Sequence, residues 1–234
     1  MKSIYTILFL SLALASSGQG TINYDSIGDI NFKFRLFEQA ITNYSAAALS
    51  DSNNFMIFYK KGNAEFQLQQ YAEALADYNR SISLNPTFSE AFNNRGNAKR
   101  NLKDYEGAIA DASTAIALNS NFSMAYNNRG ISKRYLKDYE GSLKDHLKAI
   151  ELDPSDPMPY TNIGNLKATL EDYEGAITYY NKAIAVNPND GAAYSNRGRA
   201  FFLKHDNSKA CADFKKAVEL GITAAVKILE LYCR

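Results

Sequence analysis

The sequence lacks tryptophan, has only two histidines and two cysteines, and carries almost no net charge. Its 26 Lys and Arg residues nearly balance 25 Asp and Glu residues, so there is no global field that would recruit nucleic acid, and we expect no nucleic-acid partner. The cysteines form no CxxC motif and show no Cys/His spacing typical of a metal site. We therefore predict neither a metal nor a cofactor.

Long apolar runs are also absent, and the one apolar stretch at the start of the chain is short. Lys2 precedes residues 4–15, which are almost wholly apolar or hydroxyl-bearing, and small residues follow as far as Gly20. This order is typical of a secretory signal peptide, which we place at residues 1–20. A bilayer-spanning helix needs roughly 20 apolar residues, so we expect no stable membrane anchor after cleavage. We expect an exported protein, periplasmic or secreted; a buried N-terminal helix or a short anchor is the alternative.

What the sequence does contain is a repeat. Glycines recur at a constant step of 34 residues, and a series of aromatic residues keeps the same step. The glycines are Gly28, Gly62, Gly96, Gly130, Gly164 and Gly198, and the aromatic residues are Phe37, Tyr71, Tyr105, Tyr139 and Tyr173. A fixed period in the range of roughly 20–50 residues indicates a solenoid of stacked units.

Placing each glycine at position 8 defines six units: 21–54, 55–88, 89–122, 123–156, 157–190 and 191–224. Position 4 is aromatic in all six, and positions 20 and 27 are small in all six. Position 24 is aromatic except for Ala112 and His146. Positions 20, 24 and 27 share one face of a helix, so each unit presents a regular apolar stripe.

These residues resemble the tetratricopeptide repeat, which has an aromatic residue at 4, Gly at 8, Ala at 20 and 27, and often Pro at 32. Pro86, Pro154 and Pro188 stand at position 32 here. The resemblance implies an all-α fold, a right-handed α-solenoid of six helix-turn-helix units over residues 21–224. Residues 225–234 would form a C-terminal capping helix. With the N-terminal pattern, the chain is similar to exported bacterial-type members of this family.

Two positions suggest how the paired helices pack. Glycine inside a helix costs roughly 1 kcal/mol relative to alanine, so its repetition predicts a close approach, with Gly of the first helix facing Ala of the second. Position 7 is usually large and apolar in the family, yet Arg95, Arg129 and Arg197 occupy it. We expect these arginines to lay their stems along the hairpin and to keep their heads in water.

The same register argues against an active site. His146 occupies the position-24 core slot and His205 an intra-repeat turn, while acidic residues such as Asp104, Asp138 and Asp172 recur with the repeat as turn caps and surface residues. We therefore predict a protein that is not an enzyme.

The resemblance implies that first helices line a concave groove, with positions 2, 5, 6, 9, 12 and 13 exposed. Asparagine offers a donor and an acceptor and could pair with an extended peptide, and Arg100, Arg134 and Arg199 could add contacts to carboxylates. The family's carboxylate clamp is incomplete, because Asn63 and Asn94 match it but Tyr59, Met124 and Asn128 stand in place of its cations. The predicted groove residues are Asn63, Asn94, Asn97, Arg100, Asn128, Arg134, Tyr135, Asn162, Asn165, Asn196 and Arg199.

The predicted function is a non-enzymatic scaffold that binds a protein or peptide in this groove. One alternative is a structural subunit of an envelope or secretion complex, engaged through its convex face or its ends. The asparagines could also be repeat consensus without ligand contact.

The two cysteines predict a disulfide. If the chain reverses near Gly221, Cys211 and Cys233 become level on antiparallel helices, and an exported protein resides where disulfides persist. Two buried free thiols are the alternative.

Overall fold

The computed structural model describes residues 23–233, and within this range it contains thirteen α-helices and no strand. The predicted signal peptide lies outside the described residues. The helices are α1 (Tyr24–Lys33), α2 (Phe37–Ser50), α3 (Phe55–Gln67), α4 (Tyr71–Leu84), α5 (Ser89–Asn101), α6 (Tyr105–Leu118), α7 (Ser123–Tyr135), α8 (Tyr139–Leu152), α9 (Pro157–Thr169), α10 (Tyr173–Val186), α11 (Gly191–Leu203), α12 (Asn207–Glu219) and α13 (Ala224–Tyr232).

The chain divides into two compact units, one up to Thr87 and one from Phe88 onward. The first unit contains the hairpins α1–α2 and α3–α4. The second contains four hairpins, α5–α6, α7–α8, α9–α10 and α11–α12, followed by α13. Two helices thus fall in each 34-residue repeat of the sequence, which makes the fold an all-α solenoid of helix pairs.

Each hairpin turn is built in the same way. The residue at position 15 has a left-handed backbone, with φ between 60° and 66°, and it is Arg35, Gln69, Lys103, Lys137, Glu171 or His205. In the three central turns an aspartate then caps the second helix, as Asp104 does when its carboxylate accepts a hydrogen bond of 2.9 Å from the Gly107 N–H. This left-handed residue ends the first helix, and the aspartate satisfies a free N–H group at the start of the next.

Most of the position-8 glycines face a ring of the second helix, where contact with an alanine was expected. A Cβ built on Gly62 would lie 2.8 Å from Tyr78 Cε1, and one on Gly164 would lie 2.5 Å from Tyr180 Cε1. The glycine is therefore needed at these positions because the position-24 ring of the second helix occupies the space that a Cβ would fill. Gly96 differs because position 24 of its repeat is Ala112, and there an added Cβ would meet the Ala108 carbonyl oxygen at 3.1 Å.

Helix α13 covers the apolar face of the last repeat. Buried Phe214 and Ala217 of α12 pack with Ala225 of α13, and the half-buried side chains of Ile228 and Leu229 complete the cluster. A disulfide between Cys211 and Cys233 joins the two helices, with the Cα atoms 5.6 Å apart. Within residues 23–233, none of these helices is long and apolar enough to cross a membrane.

Candidate functional site

The arginines at position 7 form ion pairs with buried aspartates. Arg129 binds Asp145 through Nε and Nη2 at 2.9 and 2.7 Å, and Arg197 binds Asp213 in the same way at 2.8 and 2.6 Å. The side chain of Asp145 is only 4% exposed. The expectation that these guanidinium groups lie in water was wrong, because the aspartate sixteen residues later supplies a bidentate partner inside the hairpin.

These pairs also connect neighbouring repeats. Arg129 Nη1 donates to Ser113 Oγ at 3.1 Å, and Arg197 Nη1 donates to Asn181 Oδ1 at 2.6 Å. In each case the acceptor is position 25 of the preceding repeat. Each of these arginines therefore binds the second helix of its own repeat and the second helix of the preceding repeat.

The fifth repeat exchanges this polar set for apolar residues. Position 7 is Ile163 and position 23 is Tyr179, and position 25 of the preceding repeat is Leu147. Ile163 is fully buried. The three positions differ together: without the arginine, a buried aspartate would lose its bidentate partner and keep only a lysine contact such as that of Lys133 Nζ with Asp145 at 2.8 Å.

Asparagines connect the first helices of consecutive repeats. Asn128 Nδ2 donates to Asn93 Oδ1 at 2.8 Å, and Asn162 Nδ2 donates to Asn127 Oδ1 at 2.9 Å. One repeat further on, Asn196 Nδ2 donates to Asn165 Oδ1 at 3.2 Å. We call these three inter-repeat hydrogen bonds the asparagine ladder. The asparagine ladder has a structural role, because each of its bonds connects one repeat to the next.

Two members of the ladder were not among the predicted groove residues, and their position, position 5, was wrongly expected to be exposed. Asn93 and Asn127 are 1% and 3% exposed. A signal was available in the sequence, because consecutive asparagines at 93–94 and 127–128 point about 100° apart on a helix, so only one of each pair faces the groove directly. The buried asparagine accepts from the next repeat, and Asn93 Nδ2 in turn donates to Asn94 Oδ1 at 3.1 Å.

The other predicted groove residues are distributed along both units. In the first unit, Asn63 Oδ1 accepts from the Tyr78 hydroxyl at 2.8 Å. In the second, Arg100 donates to Asn128 at 3.4 Å and Tyr135 stacks on a neighbouring tyrosine at 4.7 Å between ring centroids. Asn97 Oδ1 is buried without a hydrogen-bond partner among residues 23–233, because Ala112 replaces the tyrosine that meets this position in other repeats.

Four of the predicted residues meet in one cleft of about 480 Å³. We call it the arginine cleft. Arg134 at the end of α7 and Arg199 of α11 lie on either side of Asn165 on α9, and Asn196 of α11 completes the polar lining. The remaining lining residues are Ala168, Thr169, Glu171, Tyr173, Tyr180, Ala200 and Leu203.

Hydrogen bonds fix the orientation of the Asn165 side chain in the arginine cleft. The Tyr180 hydroxyl donates to Asn165 Oδ1 at 2.8 Å, the same oxygen that accepts from Asn196. Burial raises the pKa of Tyr180 to about 12, and the positive charges of Arg134 and Arg199 oppose that rise. Both guanidinium groups are thus electrostatically coupled to the same phenol.

His146 is a core residue, as its register predicts. It is fully buried, and its Nδ1 lies 2.9 Å from Asn127 Oδ1, so Nδ1 carries the proton. Burial lowers the pKa of His146 to about 4; the nearby Asp145 opposes this and Arg134 reinforces it. The imidazole is therefore neutral at physiological pH. No group of three or more His, Cys, Asp or Glu side chains suited to a metal ion occurs in the described part of the chain.

Comparison with solved structures shows the same architecture in other proteins. A tetratricopeptide repeat protein from Parabacteroides merdae is 22% identical, with a TM-score of 0.82 over 99% of this chain and 92% of that chain. A thermophilic protein of Thermus thermophilus is 16% identical, with a TM-score of 0.66 over 77% of this chain and 98% of that chain. YrrB, described as having an unusual peptide-binding site, is 18% identical, with a TM-score of 0.55 over 80% of this chain and 98% of that chain.

Comparison with curated proteins found no match. Comparison with family models found three. The TPR repeat model matches residues 62–102, and two tetratricopeptide repeat models match residues 89–122 and 158–190. Together with the repeat of helix hairpins, these matches identify the chain as a tetratricopeptide repeat protein.

Proposed function

We propose that this protein is a non-enzymatic scaffold that holds a protein partner, through an extended segment, against the first helices of its C-terminal four repeats. The observation that carries the proposal is the arginine cleft. It lies among α7, α9, α10 and α11, and it gathers guanidinium and amide groups that recognise polar peptide atoms. A tetratricopeptide relative of known structure, YrrB, is described as having a peptide-binding site.

We further propose that the protein is exported and acts in the periplasm or outside the cell. The signal-peptide pattern of residues 1–20 supports this location. The disulfide between Cys211 and Cys233 supports it as well, because disulfides persist in oxidising compartments.

The binding proposal is tested with two tryptophan variants. Thr169 lines the arginine cleft and Thr178 lies on the second helix of the same repeat. Both are exposed, and each hydroxyl donates only to the backbone carbonyl four residues earlier, at 2.9 and 3.0 Å. Thr169→Trp fills the cleft, while Thr178→Trp adds the same ring elsewhere. Wild-type protein and both variants are used to capture partners from the exported fraction of the native host, followed by quantitative mass spectrometry.

We expect Thr169→Trp to reduce recovery of the partner at least fivefold and Thr178→Trp to leave it unchanged. Equal recovery with all three proteins would contradict binding at this face.

One observation favours the alternative of a structural subunit engaged through the other face. A second cleft, of about 560 Å³, lies against α8 in the fourth repeat, with Leu143 and Leu147 among its lining residues. Leu147 is 45% exposed. Loss of partner recovery in Leu147→Ser, with Thr169→Trp unaffected, would support this alternative.

A further inference from the structure

The two arginines of the arginine cleft differ in their partners from the position-7 arginines. Arg95, Arg129 and Arg197 each bind an aspartate at 2.6–2.9 Å. Arg134 and Arg199 have no carboxylate within 4.0 Å among the described residues. Arg134 instead lies over the Tyr135 ring, 5.1 Å from its centroid. Both guanidinium groups therefore retain their hydrogen-bonding capacity for a ligand.

The amide of Asn165 adds a donor between them. Its Oδ1 is occupied by two hydrogen bonds, from Tyr180 and from Asn196, which fixes the orientation of the side chain. Its Nδ2 forms no hydrogen bond within residues 23–233 and is not buried. The arginine cleft thus offers mainly hydrogen-bond donors. Among its lining residues the only carboxylate is that of Glu171, an exposed side chain of the turn.

We propose that the arginine cleft binds the carboxylate of an acidic side chain in an extended partner segment, with Arg134 and Arg199 on either side and Asn165 below. This inference rests on the proposed function and specifies the chemistry of its site. An internal side chain is favoured over a chain terminus because the first helices carry further polar groups beyond the cleft toward the N-terminus, where Arg100 of α5 donates to Asn128 of α7 at 3.4 Å. Guanidinium groups bind carboxylates in two-point hydrogen bonds that neutral amides cannot reproduce.

The probe is a ten-residue peptide of alternating serine and glutamate, acetylated at its N-terminus, amidated at its C-terminus and fluorescently labelled. A glutamine version has the same length and shape without the charge. Binding is measured by fluorescence anisotropy, and the side-chain amide resonance of Asn165 is followed by NMR in the same titration. The variants are Arg134→Gln and Arg199→Gln. The control is Lys215→Gln, which removes the same charge from an exposed position of α12.

We expect the glutamate peptide to bind at least tenfold more tightly than the glutamine peptide and to shift the Asn165 amide resonance. Each arginine variant should weaken binding at least fivefold, whereas Lys215→Gln should change it less than twofold. A version with a free C-terminus should bind no more than twofold more tightly than the amidated peptide.

Absence of binding by the glutamate peptide, equal binding of the glutamine peptide, or equal binding by the arginine variants would overturn the inference. Binding that requires a free C-terminal carboxylate would overturn it as well. The proposed function would survive any of these results if Thr169→Trp still prevents partner capture, so the two proposals fail separately.

Discussion

Asn162 donates a hydrogen bond of 2.9 Å to Asn127, which lies thirty-five residues earlier at the corresponding face of the preceding repeat. The acceptor is buried and is shared with His146. The donor remains half-exposed, so one side chain both joins two repeats and faces outward. Replacing it therefore changes stability as well as any binding surface, and a binding experiment that substitutes the ladder asparagines cannot separate the two effects.

We predict that Asn162→Ala destabilises the protein by about 1 kcal/mol, the usual net value of one hydrogen bond in a folded protein. The control is Asn101→Ala in α5, since Asn101 donates only to a backbone carbonyl of its own helix and is exposed. It should cost less than about 0.5 kcal/mol. Urea denaturation followed by circular dichroism measures both. Equal costs would show that the inter-repeat bond contributes nothing of its own.

The ion pair between Arg129 and Asp145 predicts that the effects of substituting the two residues on stability are not additive. Arg129→Ile removes the bidentate partner of a buried carboxylate and should cost about 2–4 kcal/mol. Adding Asp145→Asn recreates the combination that the first repeat already has, Ile27 with Asn43. We expect the double variant to be at least about 1 kcal/mol more stable than Arg129→Ile alone. Additive costs in the denaturation cycle would contradict a direct pair.

His146 predicts a pH dependence of stability. Its pKa is lowered to about 4 in the folded protein and rises to an ordinary value near 6.5 on unfolding, so the unfolded chain binds the additional proton. The contribution of the neutral imidazole to the free energy of unfolding is fully present above about pH 6.5. It is lost as the pH falls toward 4, by up to about 3 kcal/mol.

The test is His146→Phe, which places at position 24 the residue that the sixth repeat has there, Phe214. Wild type should lose more stability than the variant between pH 7 and pH 4. Parallel stability curves for the two proteins would show that the imidazole does not resist protonation.

The disulfide predicts that the capping helix depends on a covalent bond. Cys211 and Cys233 are 22 residues apart, and closing a loop of this size stabilises a protein by about 3 kcal/mol in the chain-entropy model. We expect Cys233→Ser to lower the free energy of unfolding by that order and to increase hydrogen exchange in α13 first. Unchanged exchange in α13 would show that the apolar contacts of Phe214 and Ala225 suffice.

The helices were predictable because the repeat presents the same small and aromatic residues six times. The ion pairs were not predicted, although the register contains them: where position 7 is Arg or Lys, position 23 is Asp, and where position 7 is Ile163, position 23 is Tyr179. Reading position 7 alone suggested a solvated head. The ladder was only half recognised, because burial of Asn93 and Asn127 depends on the stacking of neighbouring repeats and cannot be inferred from one helix.

The arginine cleft could be predicted only in part. Arg134, Asn165, Asn196 and Arg199 were selected separately as groove residues, and the structure brings these four together. Their meeting depends on the stacking of three successive repeats. The role of Tyr180 could not be predicted, since an aromatic residue at position 24 reads as core, and only its hydrogen bond to Asn165 connects it to the cleft.

The central claim is that a protein partner occupies the first-helix face at the arginine cleft. It is tested most directly by site-specific photo-crosslinking in the native host, with a benzophenone side chain at Thr169 or, as the control, at Thr178 of the same repeat. The account predicts a discrete crosslinked protein species from position 169 and none from position 178. Crosslinking from position 178 alone, or from neither position, would contradict it.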